Sequence, residues 1–234
     1  MPADVTASVI AGGSAVAIAT TAIGQSAHLT FAGTAGQRVY LAINTPTGSN
    51  PNGSSIQLLD HTTSLQVATA NGGASGSAWS YYSGLKILQS TGAYTIDFTP
   101  SFLGAPWGAT FLLGSVPADV TSTITVGGSP VTITTTATGQ SAHLTFNGTV
   151  GEQVYLGIKT PTGTNANGSS IQLLDHTTNL QVATANGGAS GSAWTYCSGL
   201  KTLQSTGTYT IDFTPSFLGT PWGATFQLGM SACP

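Results

Sequence analysis

An internal duplication constrains the fold of this chain more than any other feature of its sequence. When the chain is shifted by 115 positions, residues 2–115 align with residues 117–230 without a gap, and the two copies differ at 25 of 114 positions. A repeat of this length is close to the size of an ordinary domain. The sequence therefore predicts two domains of one fold, residues 1–115 and residues 116–234, the second of which carries a C-terminal tail.

The joint between the copies is short. It consists of residues 114–119, with the sequence GSVPAD. Because so few residues limit how far two domains can swing apart, we expect them to form a semi-rigid rod.

The positions that differ between the copies indicate which side chains are buried. Positions 15, 17 and 19 change, whereas Val16 and Ile18 are retained, which is the period of two of a strand with one buried face. Leu112 becomes Gln227. An unpaired amide in the core would cost about 1–3 kcal/mol, so position 112 is expected to face outward.

Short alternating segments separated by turn residues recur along each copy, and no segment shows helical periodicity. Such a pattern predicts an all-β chain of two tandem antiparallel β-sandwiches, jelly-roll-like, with eight or nine strands each. In the first copy the segments are residues 4–10, 15–21, 25–32, 37–43, 55–60, 65–70, 78–82, 93–99 and 107–113.

The charge composition excludes some classes of partner. The chain contains four Lys and Arg residues and seven Asp and Glu residues, and its net charge is −3. Four cations cannot form the basic surface that nucleic acids or anionic lipids require. No run approaches the roughly 20 apolar residues of a membrane helix. We therefore expect no nucleic-acid partner and no membrane insertion.

Three segments of the second copy carry a resemblance to a known family. They are ADVTSTITVGGSPVTITTT at 118–136, GQSAHLTF at 139–146 and GTYTIDF at 207–213. Together they resemble tandem modules of large secreted bacterial proteins, often found near RHS-type repeats, and are distantly similar to bacterial pre-peptidase C-terminal domains. The resemblance implies an extracellular or cell-surface β-sandwich without catalytic function, and it supplies no binding residues.

The two cysteines, Cys197 and Cys233, both lie in the second copy. A disulfide between them would tie the C-terminal tail to the last domain in an oxidising compartment. The alternative is two unpaired thiols, one buried and one in the tail. We favour the bond, because both cysteines are absent from the first copy. The chain begins directly at a repeat boundary, so we expect it to be part of a longer array.

The ionisable residues do not form a recognisable catalytic or metal-binding pattern. His28 is expected to point outward, and Asp97 to be the only carboxylate near its own strand. Asp60 is expected to brace the following turn, although Asp60, His61 and His28 are the nearest approach to a ligand set. The sequence therefore predicts no enzyme activity, no metal site and no cofactor.

The aromatic residues are the best candidates for a binding surface. Exposed Trp107, Trp222 and Tyr82 could stack on sugar rings, whereas the alternative is that Trp107 fills the core. For Trp79 and Tyr81, which alternate with small residues, the core is the favoured interpretation.

Two hypotheses follow. The first is a structural repeat module of a stalk, fibre or surface assembly, which associates with its own copies or with neighbouring repeats, through residues 7–11 or position 112. The second is a carbohydrate-binding module for a polysaccharide, in which Trp107 and Trp222 provide the stacking surfaces.

Overall fold

All of the regular secondary structure that the computed structural model describes is β-strand, which confirms the predicted all-β class. The structure describes residues 2–45, 54–71, 78–100, 106–160, 169–186, 193–215 and 221–229. The chain divides into two compact units, Met1–Val116 and Pro117–Pro234. Within the described residues, no helix is long and apolar enough to span a membrane.

The first unit contains ten described strands, one more than the nine segments expected. The additional strand is β8, which has only two residues. The strands are β1 (Val5–Ser8), β2 (Val16–Ala19), β3 (Ala27–Gly33), β4 (Arg38–Thr45), β5 (Ser55–Asp60), β6 (Leu65–Asn71), β7 (Trp79–Tyr82), β8 (Lys86–Ile87), β9 (Gly92–Thr99) and β10 (Gly108–Ser115).

The second unit repeats this order. Its strands are β11 (Val120–Thr123), β12 (Val131–Thr134), β13 (Ala142–Gly148), β14 (Gln153–Thr160), β15 (Ser170–Asp175), β16 (Leu180–Asn186), β17 (Trp194–Cys197), β18 (Lys201–Thr202), β19 (Gly207–Thr214) and β20 (Gly223–Gly229).

Each unit is a sandwich of two five-stranded sheets. In the first unit, sheet A has the order β1-β3-β9-β5-β6, and sheet B has the order β2-β10-β4-β7 with β8 also paired to β4. In the second unit, sheet C has the order β11-β13-β19-β15-β16, and sheet D has the order β12-β20-β14-β17 with β18 paired to β14. The same topology in both units confirms the tandem sandwich.

The expectation of antiparallel pairing is wrong at one strand of each unit, β1 and β11, which pair in parallel with β3 and β13. β1 pairs with β3 in parallel, with Val5 opposite Ala27 and Ser8 opposite Thr30. β2 lies between them in sequence but belongs to the other sheet, so the chain crosses to sheet B and then returns to sheet A in the original direction. Parallel neighbours need such a crossover rather than a hairpin.

Side chains alternate between the core and the outer faces, as the two-residue period predicts. In β10 the side chains of Ala109, Phe111 and Leu113 are buried, whereas Leu112 between them is half-buried on the outer face. In β2, Ile18 is buried between exposed alanines. Inward side chains from both sheets of a unit form one hydrophobic cluster, and the second unit has its own equivalent cluster.

Gly114 fixes part of the outer face of sheet B. Tyr40 of the neighbouring strand lies across it, and a Cβ atom at Gly114 would be 2.1 Å from Tyr40 Cε1. Gly229 meets Tyr155 in the same way in the second unit. Only glycine lets these rings lie flat against the sheet.

Candidate functional site

The tryptophans proposed for sugar stacking are buried. Trp107 and Trp222 are 2% and 1% exposed. The ring of Trp107 stacks on Phe98 with a centroid distance of 3.7 Å, and its Nε1 donates to the carbonyl oxygen of Gln25 at 3.2 Å. A ring enclosed in this way has no face to offer a sugar. The prediction that Trp107 and Trp222 bind carbohydrate is therefore wrong.

A signal for this burial is present in the sequence. Trp107 stands two, four and six positions before Ala109, Phe111 and Leu113, all of which face the core and are retained in the second copy. Because alternate residues of a strand share a face, Trp107 extends this inward row by one position.

Tyr82, the third proposed stacking residue, lies on the outer face of sheet B. It is half-buried and stands opposite Ala42 of β4. The equivalent position in the second unit is Cys197, opposite Gly157. Since the second unit has no aromatic ring at this place, Tyr82 does not supply the pair of equivalent sites that the carbohydrate hypothesis requires.

The predicted disulfide involves a residue outside the described part of the chain. Cys197 is exposed at the end of β17, whereas Cys233 lies beyond the last described residue. The bond therefore stays a prediction, which peptide mapping under non-reducing conditions would test.

Trp79 and Tyr81 close one side of the first sandwich. Both pack against the core, as expected, and their rings stack with a centroid distance of 6.0 Å. The Tyr81 hydroxyl donates to the carbonyl oxygen of Thr69 in edge strand β6 at 2.8 Å, and burial raises the pKa of Tyr81. Tyr196 donates to Thr184 in the same way in the second unit. A side chain of one sheet thus bonds a backbone acceptor at the edge of the other.

His28 lies on the outer face of sheet A between two carboxylates. Its Nδ1 is 2.8 Å from Asp97 Oδ1, and its Nε2 is 3.4 Å from Asp4 Oδ2. The outward orientation agrees with the sequence analysis, but the expectation that Asp97 is the only carboxylate nearby is wrong. The parallel pairing of β1 with β3 brings Asp4 alongside, where it also accepts a bond from the backbone amide of Ser26 at 3.0 Å.

This arrangement favours a charged imidazole and recurs in the second unit. The hydrogen bond to Asp97, reinforced by Asp4, raises the pKa of His28 against the opposing effect of burial. In the second unit burial opposes the charge of His143 most strongly, yet its bonds to Asp212 and Asp119 still raise its pKa. Protonated, each histidine would link its own strand to a neighbouring strand and to the residue that directly precedes a third. Within the described residues, no three His, Cys, Asp or Glu side chains converge as a metal site.

Asp60 braces a turn, as the sequence indicates. It is 2% exposed, and its Oδ1 accepts bonds from the backbone amides of Thr62 at 2.8 Å and Thr63 at 3.3 Å. Ser90 donates to the same carboxylate, and the hydroxyl of Tyr94 lies 3.2 Å from it. Burial opposes ionisation, but these hydrogen bonds outweigh it and lower the pKa of Asp60 to about 2. The group is held as a structural anion.

The sheet edges share a feature that bears on association between chains. The strands that end each sheet order contain no charged residue in either unit. Sequence reasoning identified the outward positions of β2 but missed that they form an edge, because strand order cannot be obtained from alternation alone. The edge strands are β1 (VTAS), β2 (VAIA), β6 (LQVATAN) and β7 (WSYY), with β11 (VTST), β12 (VTIT), β16 (LQVATAN) and β17 (WTYC) in the second unit.

No family model and no curated protein matches the chain. Similar solved structures include PliG, a periplasmic inhibitor of g-type lysozyme from Aeromonas hydrophila, at 12% identity and a TM-score of 0.29, covering 47% of this chain and 99% of that one. The CUB1-EGF-CUB2 domains of rat MASP-1 have 10% identity and a TM-score of 0.28, covering 95% and 99%. The CBM22 tandem of Paenibacillus barcinonensis Xyn10C has 9% identity and a TM-score of 0.26, covering 86% and 82%.

Similarities at this level carry no argument about function. The resemblance to secreted bacterial repeat modules accordingly rests on the sequence motifs, and the proposals below rest on the residues of this chain.

Proposed function

We propose that the chain is a non-catalytic structural module, a pair of repeats from an extracellular or cell-surface stalk, fibre or similar assembly. Its partners are other copies of the chain or neighbouring repeats of the same array. The duplication supports this role, because each unit has a complete hydrophobic cluster of its own and adds the same fold to the array.

The observation that carries the proposal is the absence of charged residues from the strands that end each sheet order in both units. Proteins commonly prevent their sheets from joining by placing charged side chains, especially Lys, on edge strands. A net charge of −3 over 234 residues also leaves little repulsion between copies. Both features favour association through sheet edges.

The roles of the ionisable residues support the non-catalytic part of the proposal. Asp60 and Asp175 are bonded to turns, while His28 and His143 are bonded to carboxylates of neighbouring strands. Each group thus contributes to holding the fold together, and the same contacts recur in both units. Binding of carbohydrate is not favoured, since Trp107 and Trp222 are enclosed in the cores.

Sedimentation velocity over a series of protein concentrations, combined with negative-stain imaging, tests the proposal. We expect the average mass to increase with concentration. A chain that stays monomeric throughout and forms no assemblies would overturn the proposal. Retention of such a monomer on an insoluble polysaccharide would instead revive the carbohydrate hypothesis, with a surface other than the tryptophans.

A further inference from the structure

Strand β2 presents an outward-facing row of backbone groups. It is the end strand of sheet B and pairs with β10 on one side. The amide of Thr20 donates to the carbonyl oxygen of Trp107 at 2.9 Å. This bond shows which residues of β2 direct their backbone groups towards β10. Because bonded pairs alternate along antiparallel strands, the amide and carbonyl groups of Ala17 and Ala19 point away from β10. Ala15 directly precedes this strand.

The side chains around this edge are small or apolar. Ala17 and Ala19 are exposed, and the nearby turns carry Ile10 and Ile23, which are 73% and 56% exposed. No Lys, Arg, Asp or Glu occurs between Asp4 and Arg38 in the sequence. A strand that approaches this edge would therefore desolvate no Lys, Arg, Asp or Glu side chain of this segment.

The second unit has a different chemistry at the same edge. Pro130 replaces Ala15, and Thr132 and Thr134 replace Ala17 and Ala19. Threonines also replace both exposed isoleucines, so five of the 25 differences between the copies fall here. Proline has no amide hydrogen, so Pro130, which directly precedes the edge strand β12, cannot donate to a strand added beside it. The edge is protected in the second unit and unprotected in the first.

Other edges of the first unit are less available. The Tyr81 hydroxyl already bonds the Thr69 carbonyl oxygen in β6. On the far side of sheet B, β8 carries Lys86 beside the edge formed by β7. Asp4 directly precedes β1. Of the described edge strands of this unit, only β2 has neither a charged residue directly beside it nor a described side chain bonded to its outward backbone groups.

We infer that β2 of one chain pairs antiparallel with β2 of a second copy, about a twofold axis at Ala17. The inference rests on the proposed self-association and names its contact. Ala17 would pair with Ala17 of the second copy, and Ala15 of each copy would pair with Ala19 of the other. Two backbone hydrogen bonds in each of these three pairs give about six in total. The small alanine side chains let the two B sheets join into one continuous sheet, a form of recognition by strand addition.

Twofold pairing of this kind is closed, because the same surface is used on both copies. Pro130 protects the equivalent edge of the second unit. The β2 contact therefore produces a dimer, and any longer assembly would require a second surface.

The chain itself supplies the variant that tests this contact. The triple variant Ala15→Pro, Ala17→Thr, Ala19→Thr places the residues of the second repeat into the first. We expect the dissociation constant of the dimer, measured by sedimentation velocity, to rise at least about tenfold, since two of about six hydrogen bonds are lost and threonine side chains enter the interface. The control variant Ala32→Asn, Ala93→Thr also takes residues of the second repeat, but on the outer face of sheet A, and should leave the constant unchanged.

The reverse variant Pro130→Ala, Thr132→Ala, Thr134→Ala should open the second edge and produce species larger than the dimer. If circular dichroism shows that the first triple variant does not fold, this gain of association tests the β2 contact instead. A wild-type chain that stays monomeric would overturn both this inference and the proposed function. A wild-type dimer unaffected by the triple variant would overturn the β2 contact alone.

Discussion

At the scale of single residues, Trp107 connects the two sheets of the first unit. Its ring stacks on Phe98 of sheet A, and its backbone amide donates a hydrogen bond to Thr20 Oγ1 at 2.9 Å. Trp107→Ala should therefore lower the free energy of unfolding of this unit by about 3–5 kcal/mol in urea titrations. Leu112→Gln, which takes the residue of the second repeat, should cost less than about 1 kcal/mol. Comparable small losses for both variants would contradict the burial of Trp107.

The histidines give the fold a dependence on pH. The pKa of His28 is raised from its ordinary value of 6.5 by Asp97 and Asp4, so the folded state binds the proton more tightly than the unfolded state. Its contribution to stability is complete below pH 6.5 and is lost as the pH rises through the folded-state pKa. The free energy of unfolding should therefore decrease on going from mildly acidic to alkaline pH.

The double variant His28→Gln, His143→Gln serves as the control for this dependence. The decrease in unfolding free energy should become shallower in the variant, because neither glutamine titrates. If the unfolding free energy decreased equally with pH in the variant and the wild type, groups other than these histidines would be responsible for the pH dependence. The pKa of about 2 for Asp60 acts in a separate range, where stability is lost as the pH falls from 3.8 towards 2.

Individual contacts were predictable where they depend on alternation or on neighbouring residues. The outward position of His28 and the turn contact of Asp60 are of this kind. The contact of His28 with Asp4 is not, because it depends on which strand β1 joins and in which direction. Two residues 24 positions apart carry no local signal that their side chains meet.

At the scale of strands, the period of two and the turn residues between segments were sufficient to locate nine of the ten described strands of the first unit. β8 was missed because Lys86–Ile87 is too short to show a period, and it is a strand only because β4 lies beside it. The period of two also does not indicate the direction of a strand or its place in the sheet order. They are set by which edges meet during packing, and an alternating segment fits a parallel or an antiparallel neighbour equally well.

The hydrogen bond from the Tyr81 hydroxyl to the backbone of β6 can be removed by deleting one oxygen atom. In Tyr81→Phe the Thr69 carbonyl oxygen loses its donor, and we expect the free energy of unfolding to fall by about 0.5–1.5 kcal/mol. Tyr196→Phe should have the same effect on the second unit, because its hydroxyl is 2.7 Å from Thr184 O. Exposing this acceptor should also increase association through β6, measured by sedimentation velocity in the presence of the Ala15→Pro, Ala17→Thr, Ala19→Thr changes. Unchanged stability and mass would show that the hydroxyl does not protect the edge.

At the scale of the whole molecule, the two hydrophobic clusters share no residue. Trp222 belongs to the second cluster and Trp107 to the first, and each stacks on its own phenylalanine. Trp222→Ala should therefore destabilise the second unit by about 3–5 kcal/mol while leaving the core of the first intact. Unfolding in urea, followed by circular dichroism, should separate into two transitions, the earlier of which belongs to the second unit.

Hydrogen exchange assigns each transition to its unit. Amides of β13 and β19 should lose protection in the first transition of Trp222→Ala, whereas those of β3 and β9 should keep it until the second. Trp107→Ala should reverse this order, since the same contacts are removed from the other repeat. A single transition that shifts equally for all four strands would mean that the units unfold together, and that stability is a property of the pair rather than of each repeat.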